Sequence, residues 1–200
     1  IYNGINIPKS IDKAKSKKLL LQKFSFLEDK TLLLFVGNGY ARKGLKQALL
    51  MLSNVRSKSW HFLILGKEKK LPLYQKFTKA LNLQNHVLFL ESMQETKLFY
   101  ESSDIFLFPT IYEPCSNATL EAASYQNAII TTKQNGAGEL FDKALILDNP
   151  NTIAKGAKLL NQLLEDPNFL KQTQQECAKA ISDLTLEKNL QKTLKVLEQL

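Results

Sequence analysis

Two hundred residues, 44% of them hydrophobic and only 8 of them glycine, make a globular composition that excludes collagen-like, low-complexity and disordered chains. The formal charge of +8 points to anionic partners such as phosphate, nucleotide or an acidic lipid surface. Half of that charge falls in residues 1–30, where seven lysines stand against three acids. Nucleic acid is disfavoured, because the aromatic residues lie inside apolar runs rather than between the lysines, where base stacking needs them. No apolar stretch approaches the roughly 18–20 residues of a membrane span, and no signal peptide opens the chain. The start, Ile1-Tyr2-Asn3-Gly4-Ile5-Asn6, lacks an initiator methionine and reads as part of something longer.

The lysine-rich opening reads as a solvated face. Thr31–Val36 (TLLLFV) is then a strand of the buried, non-alternating kind. Lys43–Arg56 has helical spacing through Leu45, Ala48, Leu49 and Leu52. Strands at Trp60–Leu65, His86–Leu90 and Asp104–Phe108 alternate with helices near Leu73–Leu81 and Glu95–Ser102, and Pro109 stops the fourth strand. A helix at Ala118–Tyr125, a strand at Ala128–Thr131, a helical turn at Gly138–Phe141 and a short strand at Ala144–Leu147 follow. From Thr152 the chain is helical, with breaks near Asp166-Pro167 and Ser182–Leu186. Continuous apolar strands alternating with helices predict an α/β fold: a doubly wound parallel sheet of about six strands with C-terminal helices over 151–200. Ligands of such sheets sit beyond the carboxyl ends of the strands, which directs attention to the turns after Val36, Leu65, Leu90, Phe108 and Thr131.

The turn after the first strand is Gly37-Asn38-Gly39-Tyr40-Ala41-Arg42-Lys43-Gly44. Glycines let a ligand approach the backbone, and two cations stand where a helix opens, so the outline is that of a pyrophosphate site. Arg42 breaks the dinucleotide G-x-G-x-x-G pattern, and Leu45 replaces the lysine of a P-loop. After the fourth strand, Glu113 and Glu121 bracket a turn and a helix start, with Ser116 or Asn117 as the N-cap. Asn117 and Glu121 share one helix face, and the helix start offers free amides to a phosphate. A carboxylate accepts well from vicinal hydroxyls of a ribose or hexose. The turn Thr132–Leu140, with Gly136, is placed either to line the sugar end of the same cleft or to serve as an ordinary strand-to-helix turn, and backbone in the loop Glu91–Glu95 is a place for a base edge. Cys115 and Cys177 lie far apart with no C-x-x-C, and fit a reducing compartment. His61 and His86 read as strand-end histidines, there is no D-x-D pair, and no metal site is expected.

Four of these segments, in order, resemble the C-terminal, nucleotide-sugar-binding half of a retaining GT-B-fold glycosyltransferase of the family 4 type. They are N-G-I-N, V-G-N-G-Y-A-R-K-G-L, Y-E-P-C-S-N-A-T-L-E-A with its E-x7-E spacing, and T-T-K-Q-N-G-A-G-E-L. Within that family the chain is most similar to the lipopolysaccharide core glucosyltransferase I type. The resemblance implies that 1–200 is one donor-binding domain whose acceptor-binding half precedes it. It implies that Arg42 and Lys43 hold the donor diphosphate and that Gly37 and Gly39 let it approach. The amides of Asn117, Ala118, Thr119 and Leu120 would take the distal phosphate, Glu121 the ribose and Glu113 the transferred sugar. The implied donor is UDP-glucose or a related UDP-hexose, with no further cofactor and no metal. The implied acceptor is a glycan or glycolipid, and the implied location is the cytoplasm, peripheral at the inner face of the membrane. Pro114-Cys115-Ser116 departs from the family, which often has glycine there. The remaining alternatives are a GT-B-like epimerase or phosphorylase, for which His61 and His86 are poorly placed and no cofactor lysine stands out, and a non-catalytic module for anionic ligands or membrane surfaces.

Overall fold

The computed structural model describes residues 1–91, 95–142 and 145–199. Six strands, β1 (Thr31–Val36), β2 (Trp60–Leu65), β3 (Val87–Leu90), β4 (Ile105–Phe108), β5 (Ala128–Thr132) and β6 (Ile146–Leu147), form one parallel sheet in the order β3-β2-β1-β4-β5-β6. Every residue of β2, β4 and β5 is buried, so both faces of the sheet are covered, as the unbroken apolar runs require. The helices are α1 (Lys13–Lys23), α2 (Leu45–Ser53), α3 (Leu71–Ala80), α4 (Thr96–Ser102), α5 (Asn117–Ser124), α6 (Ile153–Glu165), α7 (Pro167–Ala180) and α8 (Leu186–Leu197). The expected sixth strand is shorter than its predicted range, and its Ala144 lies outside the described residues, as does most of the loop Glu91–Glu95.

The strand order reverses between β1 and β4. After β3 the chain returns through α4 to the other side of β1, and β5 and β6 then build outward. Such a reversal leaves a crevice that no crossover fills, beyond the carboxyl ends of the two central strands. The β1–β4 ladder deepens it. Its register covers Leu33↔Ile105 and Leu34↔Phe106, whereas β1 and β2 stay paired as far as Val36↔Leu65. The turns that follow Val36 and Phe108 therefore face each other across the crevice.

One expectation changes. The lysine-rich start is not simply a solvated face: α1 is docked through its lysines. Lys13 Nζ donates to the Ser103 carbonyl, Lys17 Nζ donates to the Lys30 carbonyl at 3.1 Å, and Lys23 pairs with Glu95 at 2.9 Å. Burial lowers the Lys13 ammonium to about 8, against the pull of Asp104. The C-terminal helices divide in role. Leu160, Leu163, Cys177 and Ile181 of the α6–α7 region join the core, while α8 has no buried residue and exposes Leu186, Leu190, Leu194 and Leu197. Asp166 caps α7 by accepting from the Asn168 and Phe169 amides at 3.0 Å, with Pro167 in the first turn, which explains the break the sequence announced. No helix among the described residues is long and apolar enough to cross a membrane.

Candidate functional site

The first glycine turn folds back before α2 begins. Gly44, at φ 79°, is the residue before the helix, so Arg42 and Lys43 stand in the turn and not in the helix opening that the spacing predicts. A side chain at Gly44 would put Cβ 1.9 Å from the Pro109 carbonyl oxygen, which fixes glycine there and draws the two turns together. The Arg42 carbonyl completes the seam: it accepts from the Ile111 amide at 2.9 Å and from the Thr110 hydroxyl at 3.0 Å. Gly37, at φ 151°, leaves room for the Lys43 stem, whose Cε would lie 3.2 Å from a Cβ at that position. The Lys43 ammonium sits 5.1 Å from the centre of the Phe108 ring, held over its face.

Across the crevice the E-x7-E turn is held from below. Ser116 caps α5, with its hydroxyl accepting from the Thr119 amide at 3.2 Å. Behind it lies Asn135, completely buried, whose Oδ1 accepts from the Ser116 and Ala137 amides at 3.2 Å. Its Nδ2 donates to the hydroxyls of Thr119 at 3.0 Å and Thr131 at 3.1 Å. Backbone bonds from Glu113 N to Gln134 O and from Gly136 N to Glu113 O tie the two turns edge to edge. Gly136 packs so closely that a Cβ would lie 1.9 Å from the Pro114 carbonyl oxygen. Pro114-Cys115-Ser116 is thus positioned by the neighbouring turn.

These segments bring Arg42, Lys43 and Glu113 into contact. Glu113 Oε2 accepts from Arg42 Nη1 at 3.0 Å and, at closer range, from Lys43 Nζ. Arg42 Nη1 also donates to the Tyr112 carbonyl at 3.0 Å. Lys43 and Glu113 are mostly buried, with side chains 13% and 15% exposed, while Arg42 is half exposed. Two cations thus share one carboxylate.

Gly37, Arg42, Lys43 and Glu113 share one hollow of about 440 Å³ with Asn117, Ala118 and Glu121. Glu121 lies one helical turn behind Asn117 on the same face of α5, as the spacing predicts. The other candidates lie elsewhere. Thr119 and Leu120 are buried behind the hollow, and their amides already donate to the Ser116 carbonyl at 3.1 and 3.2 Å. Gly39 does not line the hollow and has nothing within 4 Å of a would-be Cβ; Gly136 packs against the turn behind Glu113.

Three contributors were missed by sequence reasoning. Asn3 reaches in from the N-terminus and donates to the Cys115 carbonyl at 3.2 Å and to Asn117 Oδ1 at 2.8 Å. Asn3 belongs to the N-G-I-N segment, so its position in a motif was the available signal. Asn135 likewise belongs to the T-T-K-Q-N-G-A-G-E-L segment, whereas Tyr100 carried no signal and only the fold reveals its burial. Among the described residues no group of three His, Cys, Asp or Glu side chains is placed to hold a metal ion. His86 Nδ1 lies 3.2 Å from the Trp60 carbonyl and the His61 ring packs edge-on to Phe26, at the amino ends of β2 and β3 and far from the crevice.

The profile of the family described as "Glycosyl transferases group 1" matches residues 16–183. The chain belongs to this family. The group 1 sequence is 25% identical over 177 residues to "Uncharacterized glycosyltransferase YqgM" of Bacillus subtilis, covering 79% of this chain and 49% of that protein. It spans about half the length of the curated relatives it matches. Among solved structures, Anabaena Alr3699/HepE in complex with UDP and glucose superposes with a TM-score of 0.89 at 17% identity, over 100% of this chain and 56% of that one. WaaG, a glycosyltransferase involved in lipopolysaccharide biosynthesis, superposes with a TM-score of 0.82 at 18% identity, over 93% of this chain and 52% of its own. The fold of this group 1 chain is the one expected, a Rossmann-like half of the GT-B architecture.

Proposed function

We propose that the chain is the donor-binding half of a retaining hexosyltransferase, and that the hollow at the β1–β4 reversal takes a nucleoside diphosphate sugar. The observation that carries this reading is the convergence of Arg42, Lys43, the α5 start and two glutamates on one hollow, at the place where a doubly wound sheet binds ligands. The amides of Asn117 and Ala118 begin α5 beside the cations, where the helix dipole favours a phosphate. Glu121 makes no ion pair among the described residues and lines the hollow, where it accepts from the ribose hydroxyls. Glu113, next to both cations, borders the transferred sugar.

The chemistry follows from where charge develops. As the anomeric C–O bond breaks, the departing nucleoside diphosphate gains negative charge on its distal phosphate. Arg42, Lys43 and the α5 start line the same hollow, so once the diphosphate has drawn the two cations from Glu113 their stabilisation grows along the reaction coordinate. An acceptor hydroxyl must approach in line with the anomeric carbon. We place the acceptor site and any base outside these 200 residues, and expect the chain alone to bind donor with little or no transfer. The proposed donor is UDP-glucose or a related UDP-hexose, and the proposed acceptor a lipopolysaccharide core or other surface glycan. The motif order and the superpositions on HepE and WaaG support that choice.

Titration of the chain with UDP and UDP-glucose by calorimetry tests the reading. Binding is expected in the wild type and is expected to be lost in Glu121→Ala and Arg42→Ala with the fold retained. Unchanged affinity in both variants removes the site assignment, and measurable turnover by the 200-residue chain removes the placement of the acceptor site.

A further inference from the structure

The N-terminal segment is fastened on both sides of Asn3. Before it, the Tyr2 hydroxyl donates to Glu139 Oε2 at 2.8 Å, and the Tyr2 carbonyl accepts from Asn189 Nδ2 at 2.6 Å. After it, the Ile5 amide donates to the Leu184 carbonyl at 2.8 Å. Gly4 runs so close to the start of α8 that a Cβ there would lie 2.8 Å from the Leu186 Cα and from the Thr185 carbonyl oxygen. Asn3 is thereby delivered to the hollow that Arg42, Lys43 and Glu113 share. Its Nδ2 serves two acceptors there, the Cys115 carbonyl and Asn117 Oδ1.

The polarity of this short chain of hydrogen bonds has one sense. A backbone carbonyl only accepts, so the end of Asn3 that meets Cys115 is its NH2. The same NH2 meets Asn117, so the atom it meets there is the oxygen. The Asn117 carboxamide is thus set with Oδ1 toward the N-terminal segment, and its Nδ2 makes no hydrogen bond among the described residues. Asn117 is the first residue of α5 and lines the hollow beside the two cations. An asparagine at a helix start ordinarily turns its oxygen onto nearby backbone amides. Here that oxygen is engaged by Asn3, and Ser116 does the capping. The bonds of Asn3 lie at the exposed surface, where they add little to stability; what they do is orient.

We infer that Asn3 is a positioning residue for the diphosphate: it turns the Asn117 carboxamide so that Nδ2 donates to a phosphate oxygen in the hollow while Oδ1 is held away from it. The inference rests on the donor-cleft reading above and goes beyond it by giving a side chain of the N-terminal segment a part in anion binding. A phosphate oxygen is an acceptor, so an unrestrained Asn117 would meet it with either end of its carboxamide, the nitrogen attracting it and the oxygen repelling it. Asn3 removes the repulsive orientation before the ligand arrives, which is preorganisation. The same contact keeps Oδ1 off the α5 amides, so these stay open to the anion. The anchors at Tyr2, Gly4 and Ile5 in turn hold Asn3, so the ordering is built into the free protein.

The test is a double-mutant cycle of Asn3→Ala, Asn117→Ala and the double variant, read by calorimetry with UDP and with inorganic pyrophosphate. Each single variant is expected to weaken both ligands about five- to ten-fold, the effect of one hydrogen bond to a charged acceptor. In the Asn117→Ala background, Asn3→Ala is expected to change neither affinity, because nothing is left for it to orient. The nitrogen-15 side-chain amide signal of Asn117, identified by its absence from Asn117→Ala, is expected to shift when pyrophosphate is added to wild type and to shift less in Asn3→Ala at matched saturation. Melting curves check that the variants are folded, and Asn3→Leu, which keeps the bulk and lacks the donor, repeats the cycle should Asn3→Ala fail to fold. Equal weakening by the Asn3 variant with and without Asn117 overturns the inference, by assigning Asn3 to the Cys115 backbone alone. Unchanged pyrophosphate affinity in either single variant overturns it as well, and so does an Asn117 signal that pyrophosphate leaves in place. Each of these results leaves the cleft reading standing. A wild-type chain that binds neither ligand overturns both.

Discussion

Replacing Glu113 by glutamine is expected to tighten the binding of UDP, although Glu113 sits in the middle of the proposed site. In the ligand-free protein its Oε2 accepts from both Arg42 and Lys43, so it occupies the cations that a diphosphate needs. Arg42 Nη1 is 3.0 Å from that oxygen, and a phosphate on the other side of the guanidinium would lie roughly 5 Å from the carboxylate. At an effective dielectric constant of about 20, one unit of negative charge at that distance is repelled by about 3 kcal/mol. The half-exposed Arg42 and ordinary salt reduce this to about 1–2 kcal/mol, a gain of roughly 5- to 30-fold in UDP affinity. The free protein should pay for it. Lys43 and Glu113 are mostly buried, and removing one charge of such a pair costs about 3 kcal/mol, or roughly 6–12 °C in a chain of this size. Saturating UDP should close most of that gap, because it supplies the missing anion. The assay is calorimetry with UDP at low and physiological salt, paired with melting curves with and without UDP. Equal or weaker UDP binding by a folded Glu113→Gln protein would refute the argument that this carboxylate and the diphosphate compete for the same cations.

Asn135→Ala removes four hydrogen bonds from a fully buried side chain and should cost about 3 kcal/mol; a melting drop below about 3 °C would contradict the role given to Asn135. Gly136→Ala and Gly39→Ala should separate packing from approach. The first brings Cβ to 1.9 Å from the Pro114 oxygen and is expected to lower both stability and UDP affinity, while the second meets nothing and costs about 1–2 kcal/mol through its φ of 71° alone, which paired melting and binding measurements will show. Burial, aided by His86, depresses the His61 imidazole below its ordinary value. The unfolded chain therefore takes up the proton first, and stability is lost as pH falls from about 6.5 toward the lower folded value. Urea midpoints measured between pH 7.5 and 5 should fall in wild type and fall less in His61→Gln; parallel curves would assign the loss to other groups.

Strands were legible because TLLLFV, WHFLIL, IFLF and AIITT are apolar on both faces, and a parallel sheet covered on both sides requires that. α1 was not legible. Its sequence KAKSKKLLLQK buries only Ser16 and Leu20, so no apolar stripe marks it. It is held by contacts far along the chain, including the Asp12 amide donating to Glu101 at 2.7 Å and Lys13 to Ser103. A helix docked by lysine stems and ammonium groups looks, in sequence, like a solvated charge run. α8 shows the reverse: its leucines recur at helical spacing and the helix forms, yet nothing among the described residues covers them.

At the site, residue types were legible and their mutual arrangement was not. Glycine, arginine, lysine and glutamate at strand ends are the residue types that phosphate and sugar chemistry uses, and it is their order along the chain that makes them specific. That Glu113 neutralises Arg42 and Lys43, some 70 positions away, follows only from the strand order that sets β4 beside β1. The same order explains why Arg42 and Lys43 did not need a helix start. The seam from Gly44 to Pro109 and from the Arg42 carbonyl to Thr110 and Ile111 delivers them to the crevice directly, leaving α5 to present the open amides. One consequence is physical coupling between the two ends of a donor. A phosphate that draws Arg42 and Lys43 toward itself releases Glu113 from both at once, on the side where the proposed sugar lies. On the proposed reading this carboxylate is freed to accept from sugar hydroxyls only when a diphosphate is present, so calorimetry should find a free hexose bound weakly to this cleft and a nucleotide-linked one well, and equal affinities would refute the coupling.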